Sequence, residues 1–428
     1  MEKIVQNSMT QLNKAGAEKA ACFYTKSEMH ELNVASGEIS LFRTNFDTNL
    51  TLVGLMNNKE GSISINKADE KSIEKAAVQV MEIAKSSNPD PANDIAEKQP
   101  HKKFSYGPDS PDLDKMYFRL KEFLDFIEKN YPNTILEEIN FTHNKRASFY
   151  ANSNDVYFET ISGNYVFTIM FTSKDGNKTS SFNYAVQVSI DLDKPFYEYD
   201  SLIRLIKQSS EQLEMHSFAG KFEGDVIITP ECLDEIIESV MSYIRNYNMI
   251  KGSSVYKNKL GKQITSEKLT LKANPISEEF SSRYFVTNDG YEAKNMTIIE
   301  DGVLKSYLLN LYGANKTGLQ RAVNNGGCYV IEPGDASLTD MIKSTKKGVL
   351  LCRFSGGNPS DNGDFSGVAK NSYYIENGEI KFPLNETMIT GNLVEMLMNI
   401  KQISKERVNP GYHIYPWIKF GGVTISGK

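Results

Sequence analysis

Residues 134–190 form a run of short segments in which apolar and polar positions alternate. Apolar and polar residues alternate along each segment, and turn-forming residues separate them at 152–155, 162–164 and 174–177. Alternation with a period of two indicates strands with one buried face, and tight turns of this composition join antiparallel neighbours. The sequence therefore predicts an antiparallel meander in the middle of the chain.

Two helical patterns enclose a second strand-rich region nearer the N terminus. Residues 20–65 alternate as strands do, with turn signals at 36–37 and 57–61. Apolar residues at helical spacing precede and follow this region: Ile4, Val5, Met9 and Leu12, then Ile73, Ala76, Ala77, Val80 and Ala84. We therefore expect an N-terminal α/β domain over residues 1–88. The proline-bearing, aperiodic stretch 89–109 is interpreted as a linker.

The rest of the chain divides into a middle and a C-terminal domain. Ser110-Pro111 indicates a helix start, so the middle domain, 110–216, is a helix plus the meander. A further helix is expected near residues 201–213. The C-terminal domain, 222–428, opens with a strand at 225–228 and a helix entered through Thr229-Pro230. Its clearest hairpin turns are Asp301-Gly302 and Asn377-Gly378. The predicted fold class is α+β, with mostly antiparallel strands and packed helices.

Composition argues against several classes of protein. The net charge of −6, without a cluster of Lys and Arg, makes nucleic acid an improbable partner. No apolar run is long enough to cross a bilayer, and the N terminus is too polar for a secretory signal. The four cysteines are far apart and lack metal or redox spacing, which favours reduced thiols. These features predict a cytoplasmic protein.

The five histidines do not suggest a metal site. His30, His101, His143, His216 and His413 are scattered, and no two share a helical turn. His30-Glu31 begins like a zinc-protease motif, but no second histidine follows on that turn. Each is interpreted as a surface or packing residue.

Two other regions offer polar groups that could carry function. Acidic residues recur every three or four positions on the helix after Thr229: Glu231, Asp234, Glu235 and Glu238. Such a face could bind a hard cation, but it is more often simply solvated. A glycine-rich loop spans residues 354–367. It could admit a second chain closely, or it could be a flexible hairpin connection, and both interpretations stay open.

Several blocks of the sequence resemble the TldD/PmbA family. They are residues 299–309, the glycine-rich loop, 374–380 and 389–393, with 34–39 and 89–91 nearer the N terminus. They occur in the family's order over essentially the whole chain. The resemblance implies a metallopeptidase family in which a TldD-like and a PmbA-like (TldE) subunit form a heterodimer.

The resemblance also implies where a metal would lie. The TldD-like subunit carries His-Glu-x-x-x-His on the helix after the strand that opens its last domain, with a cysteine ligand near the C terminus. These ligands would hold zinc with one position open for water, and the motif Glu would act as base. The motif positions fall here on residues 238–243, where Glu238 and Tyr243 replace the histidines and Ser239 replaces the base. Residues 411–424 contain no cysteine. We therefore expect no catalytic residue and no metal ligand in this chain.

The combined expectation is a non-catalytic PmbA/TldE-like subunit that assists proteolysis of unfolded or short peptides. Its expected partner is a TldD-like catalytic subunit that holds the zinc, with a homodimer possible for the isolated chain. The substrate cavity is expected to include Gly356, Gly357, Asn358, Asp364 and Ser366. One alternative is a stand-alone hydrolase with a carboxylate-bound metal around Glu235 and Glu238. Another is a regulatory binding protein, which the family's association with DNA gyrase suggests.

Overall fold

The computed structural model describes residues 1–35, 37–356 and 358–427. The first half of the chain builds one large sheet and the helices that cover it. Its elements, in chain order, are α1 (Glu2–Lys14), β1 (Lys19–Ala35), β2 (Glu38–Met56), β3 (Lys59–Ile65), α2 (Glu70–Ser86), β4 (Lys102–Tyr106), α3 (Leu113–Asn130), β5 (Thr134–Asn152), β6 (Val156–Asp175), β7 (Lys178–Thr179), β8 (Asn183–Ser189) and α4 (Asp200–Glu211). Two short 3-10 helices flank α4, at Phe196–Glu198 and Gln212–Glu214.

This sheet joins segments that the sequence divides into two domains and a linker. The strand order is β3-β2-β1-β5-β6-β4, with β7 and β8 also paired to β6. Strands β1 and β5 pair from Ala21↔Asn152 to Ala35↔Glu138, so residues 1–88 and 110–216 share one continuous ladder. The predicted linker 89–109 contributes β4, which runs parallel to β6. The remaining pairs in this sheet are antiparallel, as the meander predicts.

One predicted turn is wrong. Residues 162–164 lie inside β6, which continues through them as a single strand. Gly163 is needed there because a Cβ atom at this position would lie 1.7 Å from the carbonyl oxygen of Pro108. The glycine therefore permits close passage of a neighbouring segment rather than a change of chain direction.

The predicted helices are largely confirmed. The apolar stripe of α2, from Ile73 to Ala84, is buried in the core beneath the sheet. Helix α3 begins later than Ser110-Pro111 suggests, because Asp112 is the residue whose side chain accepts a hydrogen bond from the Lys115 amide. An aspartate two residues further on thus provides the cap.

The second half of the chain forms two further sheets and the helices that pack around them, with a large core cluster of their own. Its elements, in chain order, are β9 (Lys221–Ile228), α5 (Pro230–Ile244), α6 (Asn246–Lys251), β10 (Leu271–Ala273), β11 (Met296–Glu300), β12 (Val303–Leu304), α7 (Leu311–Thr317), β13 (Tyr329–Ile331), α8 (Leu338–Lys343), β14 (Lys347–Leu351), β15 (Arg353–Gly356), β16 (Asp364–Lys370), β17 (Tyr373–Glu376), β18 (Glu379–Pro383), β19 (Thr387–Asn392), α9 (Leu393–Met398), β20 (Ile400–Val408) and β21 (Tyr415–Ser426).

The main sheet of this half of the chain places the glycine-rich loop at one edge. Its order is β15-β16-β19-β21-β9-β14-β17-β18, with β20 also paired to β21, and a smaller sheet has the order β12-β11-β10-β13. The predicted turns at Asp301-Gly302 and Asn377-Gly378 connect β11 to β12 and β17 to β18. All four of these turn residues have positive φ angles, which explains the choice of Asp-Gly and Asn-Gly. Within the described ranges, no helix is long and apolar enough to cross a membrane.

The four cysteines are buried and form no disulfide. Burial raises the pKa of Cys22 and of Cys328 to about 12. Their thiols therefore stay protonated at neutral pH and pack as small apolar groups.

Candidate functional site

Helix α5 carries the positions that correspond to the zinc motif. It follows β9 directly, and Pro230 occupies its first turn after Thr229, as predicted. Its apolar side, including Leu233, Ile237 and Met241, is buried in the core of the C-terminal domain. The same helix presents Glu238, Ser239 and Tyr243, so these residues are held on a rigid element.

Glu238 is engaged by an arginine at the end of the same helix. The Nη1 atom of Arg245 donates to Oε2 of Glu238 at 2.8 Å, and Nη2 donates to the hydroxyl of Tyr329 at 3.0 Å. Burial lowers the pKa of Arg245, but the hydrogen bonds to Glu238 and Tyr329 and the negative charge of Glu238 outweigh it, so the pKa is raised. Glu238 is therefore half of an ion pair in place of a metal ligand.

Ser239 and Tyr243 are also occupied by structural contacts. The Ser239 hydroxyl donates to the Glu235 carbonyl oxygen of its own helix at 2.8 Å. The Tyr243 hydroxyl donates at 2.7 Å to the carbonyl oxygen of Ser360, which lies in the glycine-rich loop. The ring of Tyr243 is buried and meets Tyr256 edge-on at 5.9 Å. Tyr243 thus fastens the loop to α5.

These residues do not fit a zinc ion. Zinc sites in proteins use imidazole, thiolate or free carboxylate ligands, whereas here one carboxylate is paired and the other two side chains carry neutral hydroxyls. Burial raises the pKa of Tyr243, so its hydroxyl stays protonated as a donor. Across residues 1–35, 37–356 and 358–427, no three His, Cys, Asp or Glu side chains approach closely enough to share a metal.

The acidic face of α5 is not a carboxylate cluster. Glu231 pairs with Arg204 of α4 at 2.5 Å, which links the two halves of the chain. Asp234 lies 3.2 Å from the buried His413, and Glu235 is exposed. The four carboxylates therefore face different neighbours, and the geometry gives no support to a hard-cation site around Glu235 and Glu238.

The glycine-rich loop joins β15 to β16, and two of its glycines, Gly356 and Gly367, serve the packing of the hairpin itself. Gly356 lies opposite Gly367, and a Cβ at Gly356 would lie 2.6 Å from the Cα of Gly367. The Phe354 ring covers Gly367, where a Cβ would meet its Cζ at 2.3 Å. Gly356 is thus required for close packing within the hairpin, a reason independent of any bound chain. Gly357 lies outside the described residues.

Three of the predicted loop residues line one open cleft. Asn358, Asp364 and Ser366 border a cavity of about 620 Å³ on the surface of the C-terminal domain. Its other walls come from β16, β19, β21, α9 and the adjoining turn: Phe365, Thr390, Gly391, Asn392, Glu395, Met396, Asn399, Gly422, Val423 and Thr424. The cleft is large enough for several residues of a peptide, and its polar lining combines amide and hydroxyl side chains with the carboxylates of Asp364 and Glu395.

Asn392 organises the polar wall of this cleft. Its side-chain oxygen accepts from the amides of Val394 and Glu395, which caps α9, while its Nδ2 donates to Asp364 at 2.9 Å. Hydrogen bonds from Asn392 and Asn362 lower the pKa of Asp364, which therefore carries a negative charge at neutral pH. Ser366 and Thr390 hold their hydroxyls 3.1 Å apart across the strands.

Sequence reasoning missed part of this arrangement. Thr390 and Asn392 were not predicted as site residues. Both lie in the block 389–393 that resembles the family, and an asparagine before an apolar helix is a capping signal, so the sequence did carry a signal for Asn392. It also treated the histidines as isolated, whereas His30 and His143 are cross-strand neighbours whose rings lie 6.3 Å apart. The packing interpretation is confirmed for His143 and for His413, which are both buried, and His413 stacks on Tyr415.

The chain is similar in sequence to proteins of a known metallopeptidase family. Residues 221–427 match the family model of the PmbA/TldA metallopeptidase C-terminal domain. Metalloprotease PmbA of Escherichia coli O157:H7 is 24% identical over 433 residues, covering 95% of this chain and 92% of the relative. A zinc metalloprotease TldD homolog of Saccharolobus solfataricus is 31% identical over 197 residues, 43% of this chain and 44% of its own length.

A solved structure shares the fold over the full chain. The crystal structure of TldE from Thermococcus kodakarensis superposes with a TM-score of 0.84 at 21% identity, covering 99% of this chain and 100% of that one. The α+β fold class predicted from the sequence is confirmed by this match. The C-terminal part of the chain therefore matches the PmbA/TldA metallopeptidase C-terminal domain, and the chain as a whole is similar in sequence to metalloprotease PmbA and in fold to TldE.

Proposed function

We propose that this chain is a non-catalytic, PmbA/TldE-like subunit that works with a TldD-like metallopeptidase in the breakdown of unfolded or short peptides. The observation that carries the proposal is the use of the three motif positions on α5. Glu238 pairs with Arg245, Ser239 bonds to its own helix, and Tyr243 holds the loop at Ser360. In the catalytic subunit these positions would bind zinc or activate the zinc-bound water. In this chain their side chains make contacts that stabilise the fold.

The proposed contribution of the chain is a surface for the peptide. The cleft beneath the loop offers amide and hydroxyl groups from Asn358, Ser366 and Thr390. Such groups pair with peptide main chain irrespective of sequence, which suits a substrate defined by being unfolded. The negative charge of Asp364 would favour a positively charged end or side chain of the peptide. The zinc and the catalytic base would come from the TldD-like subunit.

The test uses the purified chain, a TldD-like subunit and an unstructured peptide. We expect no hydrolysis by the chain alone, and chelator-sensitive hydrolysis by the mixed pair. Thr390→Ala combined with Asn358→Ala should raise the KM of the pair, since both side chains border the cleft without joining the core. Thr10→Ala with Gln79→Ala, which removes two exposed polar side chains on α1 and α2, serves as the control.

Two results would overturn the proposal. One is robust cleavage by the chain alone that survives repurification and persists when Glu238 is replaced by Ala. The other is a mixed pair that is no more active than the TldD-like subunit by itself. If the cleft variant has an unchanged KM, the cleft does not bind the peptide, and the chain would only stabilise its catalytic partner.

A further inference from the structure

A second cavity, of about 90 Å³, lies between the two halves of the chain. Strand β8 and helix α4 border it from the first half, and the start of α5, the start of β15 and the stretch 408–413 border it from the second half. It shares no lining residue with the proposed peptide cleft. Its volume suits a molecule of a few non-hydrogen atoms and is too small for several residues of a peptide.

One wall of this cavity holds a buried histidine without a hydrogen-bond partner. His413 is 2% exposed, and neither of its ring nitrogens is hydrogen-bonded within the described part of the chain. Its Nδ1 atom lies 3.2 Å from Oδ1 of Asp234, but the two atoms are not aligned for a hydrogen bond. Buried polar groups in proteins are nearly always paired, so this imidazole indicates a polar group that binds in the cavity.

The carboxylates of Asp234 and Glu235 give the cavity a negative side. Both residues line it from the first half of α5. Within the described ranges, neither carboxylate has a lysine or arginine at ion-pair distance, whereas Glu231 of the same helix pairs with Arg204. A cationic group that enters the cavity would therefore be attracted to charge that the fold leaves uncompensated.

Hydrogen-bond donors line the same cavity. Asn183, at the start of β8, is 4% exposed; its side-chain oxygen accepts from the Tyr184 amide, but its Nδ2 atom has no partner among the described residues. Arg353 of β15 donates to the Phe182 carbonyl oxygen, and its guanidinium lies 3.7 Å from the centre of the Phe182 ring. Burial lowers the pKa of Arg353. An anionic group in the cavity would pair with both donors and would stabilise the charged guanidinium.

We propose that this cavity binds a free α-amino acid with a small side chain, such as alanine. The ammonium group would bind at Asp234 and His413, and the carboxylate would accept hydrogen bonds from Asn183 and Arg353. A free amino acid carries both charges on a few atoms, which matches a small cavity lined by groups of both kinds. The proposal rests on the cavity and its unpartnered side chains, and it does not depend on the proposed peptidase role.

Calorimetric titration of the full chain with L-alanine tests the proposal. We expect one site per chain with a Kd of roughly 0.1–1 mM, which is within reach of so small a ligand. N-acetyl-L-alanine lacks the ammonium group and L-alaninamide lacks the carboxylate, so each should bind at least about tenfold more weakly. Trialanine distinguishes a free amino acid from the end of a peptide. If trialanine binds as tightly as alanine, the site recognises a peptide terminus and the proposal is wrong.

Two variants test the assignment of the side chains. Asp234→Asn keeps the shape of the side chain but removes its charge, and it should weaken alanine binding at least about tenfold. Asn183→Asp keeps the acceptor for the Tyr184 amide but sets a negative charge against the ligand carboxylate, with a similar expected loss. Asp125→Asn is the matched control, since Asp125 is exposed on α3.

The outcome is decided by binding to folded protein. Circular dichroism checks the fold of each variant, and one folded variant at Asp234 or Asn183 is sufficient for the comparison. An absence of binding at roughly 10 mM alanine would overturn the proposal, because the unpartnered groups would then be paired with water only. Alanine binding that is unchanged in the folded variants, or weakened equally in the control, would also overturn it.

Discussion

Removing one hydroxyl group, in Tyr243→Phe, tests whether the former motif position holds the glycine-rich loop. The hydroxyl donates to the Ser360 carbonyl oxygen at 2.7 Å, and this bond joins α5 to the loop. Phenylalanine keeps the ring and its edge-on contact with Tyr256. The substitution therefore removes the bond and little else.

The magnitude follows from what remains at Ser360. Its carbonyl oxygen also accepts from the Gly363 amide at 2.8 Å, so the loss does not leave a buried acceptor without any donor. The expected cost is about 1 kcal/mol, the net value of one hydrogen bond. At 25 °C that energy changes the opening equilibrium of the loop roughly fivefold.

Hydrogen exchange measured by mass spectrometry is the suitable assay, because it reports local opening rather than global unfolding. Amides of residues 358–367 and of Leu393, which donates to the Gly363 carbonyl, should exchange about fivefold faster in the variant. Tyr247→Phe is the control, since Tyr247 is 72% exposed. Unchanged exchange in Tyr243→Phe, or an equal increase in the control, would show that this hydrogen bond does not hold the loop.

Two further predictions concern the cleft and its loop. Hydrogen bonds from Asn392 and Asn362 lower the pKa of Asp364 in the folded chain. Their contribution to folding stability is therefore fully present above the unfolded-state pKa of about 4, and it is lost as the pH falls through the folded-state pKa. Asn392→Ala should raise that pKa in an NMR titration and cost about 1 kcal/mol through the lost α9 cap; an unshifted carboxyl would contradict this. Gly356→Ala should destabilise the hairpin by roughly 1–3 kcal/mol, measured by urea unfolding, because its Cβ would lie 2.6 Å from a neighbouring Cα. Gly391→Ala, whose Cβ would meet only the Phe365 ring at 3.2 Å, should cost clearly less, and equal costs would disprove the packing explanation.

The sequence predicted those helices and turns whose signal, a hydrophobic period or a turn-forming pair, lies within the element itself. The stripe from Ile73 to Ala84 is buried on α2, and the Asn-Gly and Asp-Gly pairs are hairpin turns. The helix follows from the period of its apolar residues, and the turns follow from the positive φ angles that they require. These features do not depend on a distant partner.

Pairing between distant segments was not predictable in this way. Residues 102–106 look like a linker because their strand conformation depends on β6, and residues 162–164 look like a turn because the close approach of Pro108 cannot be seen locally. The same limit applies to the site. The family resemblance singled out Tyr243 as the residue that replaces a metal-binding histidine, but its contact with Ser360 joins residues far apart in the chain.

The zinc content of the isolated chain shows whether its motif positions bind a metal. The isolated chain, dialysed against zinc and then freed of loose metal, should retain much less than one equivalent by elemental analysis. This is expected because Glu238 is paired with Arg245 and Tyr243 is bonded to Ser360, and neither supplies a soft ligand. One tightly bound equivalent of zinc, lost when Glu238 is replaced by Ala, would contradict the account.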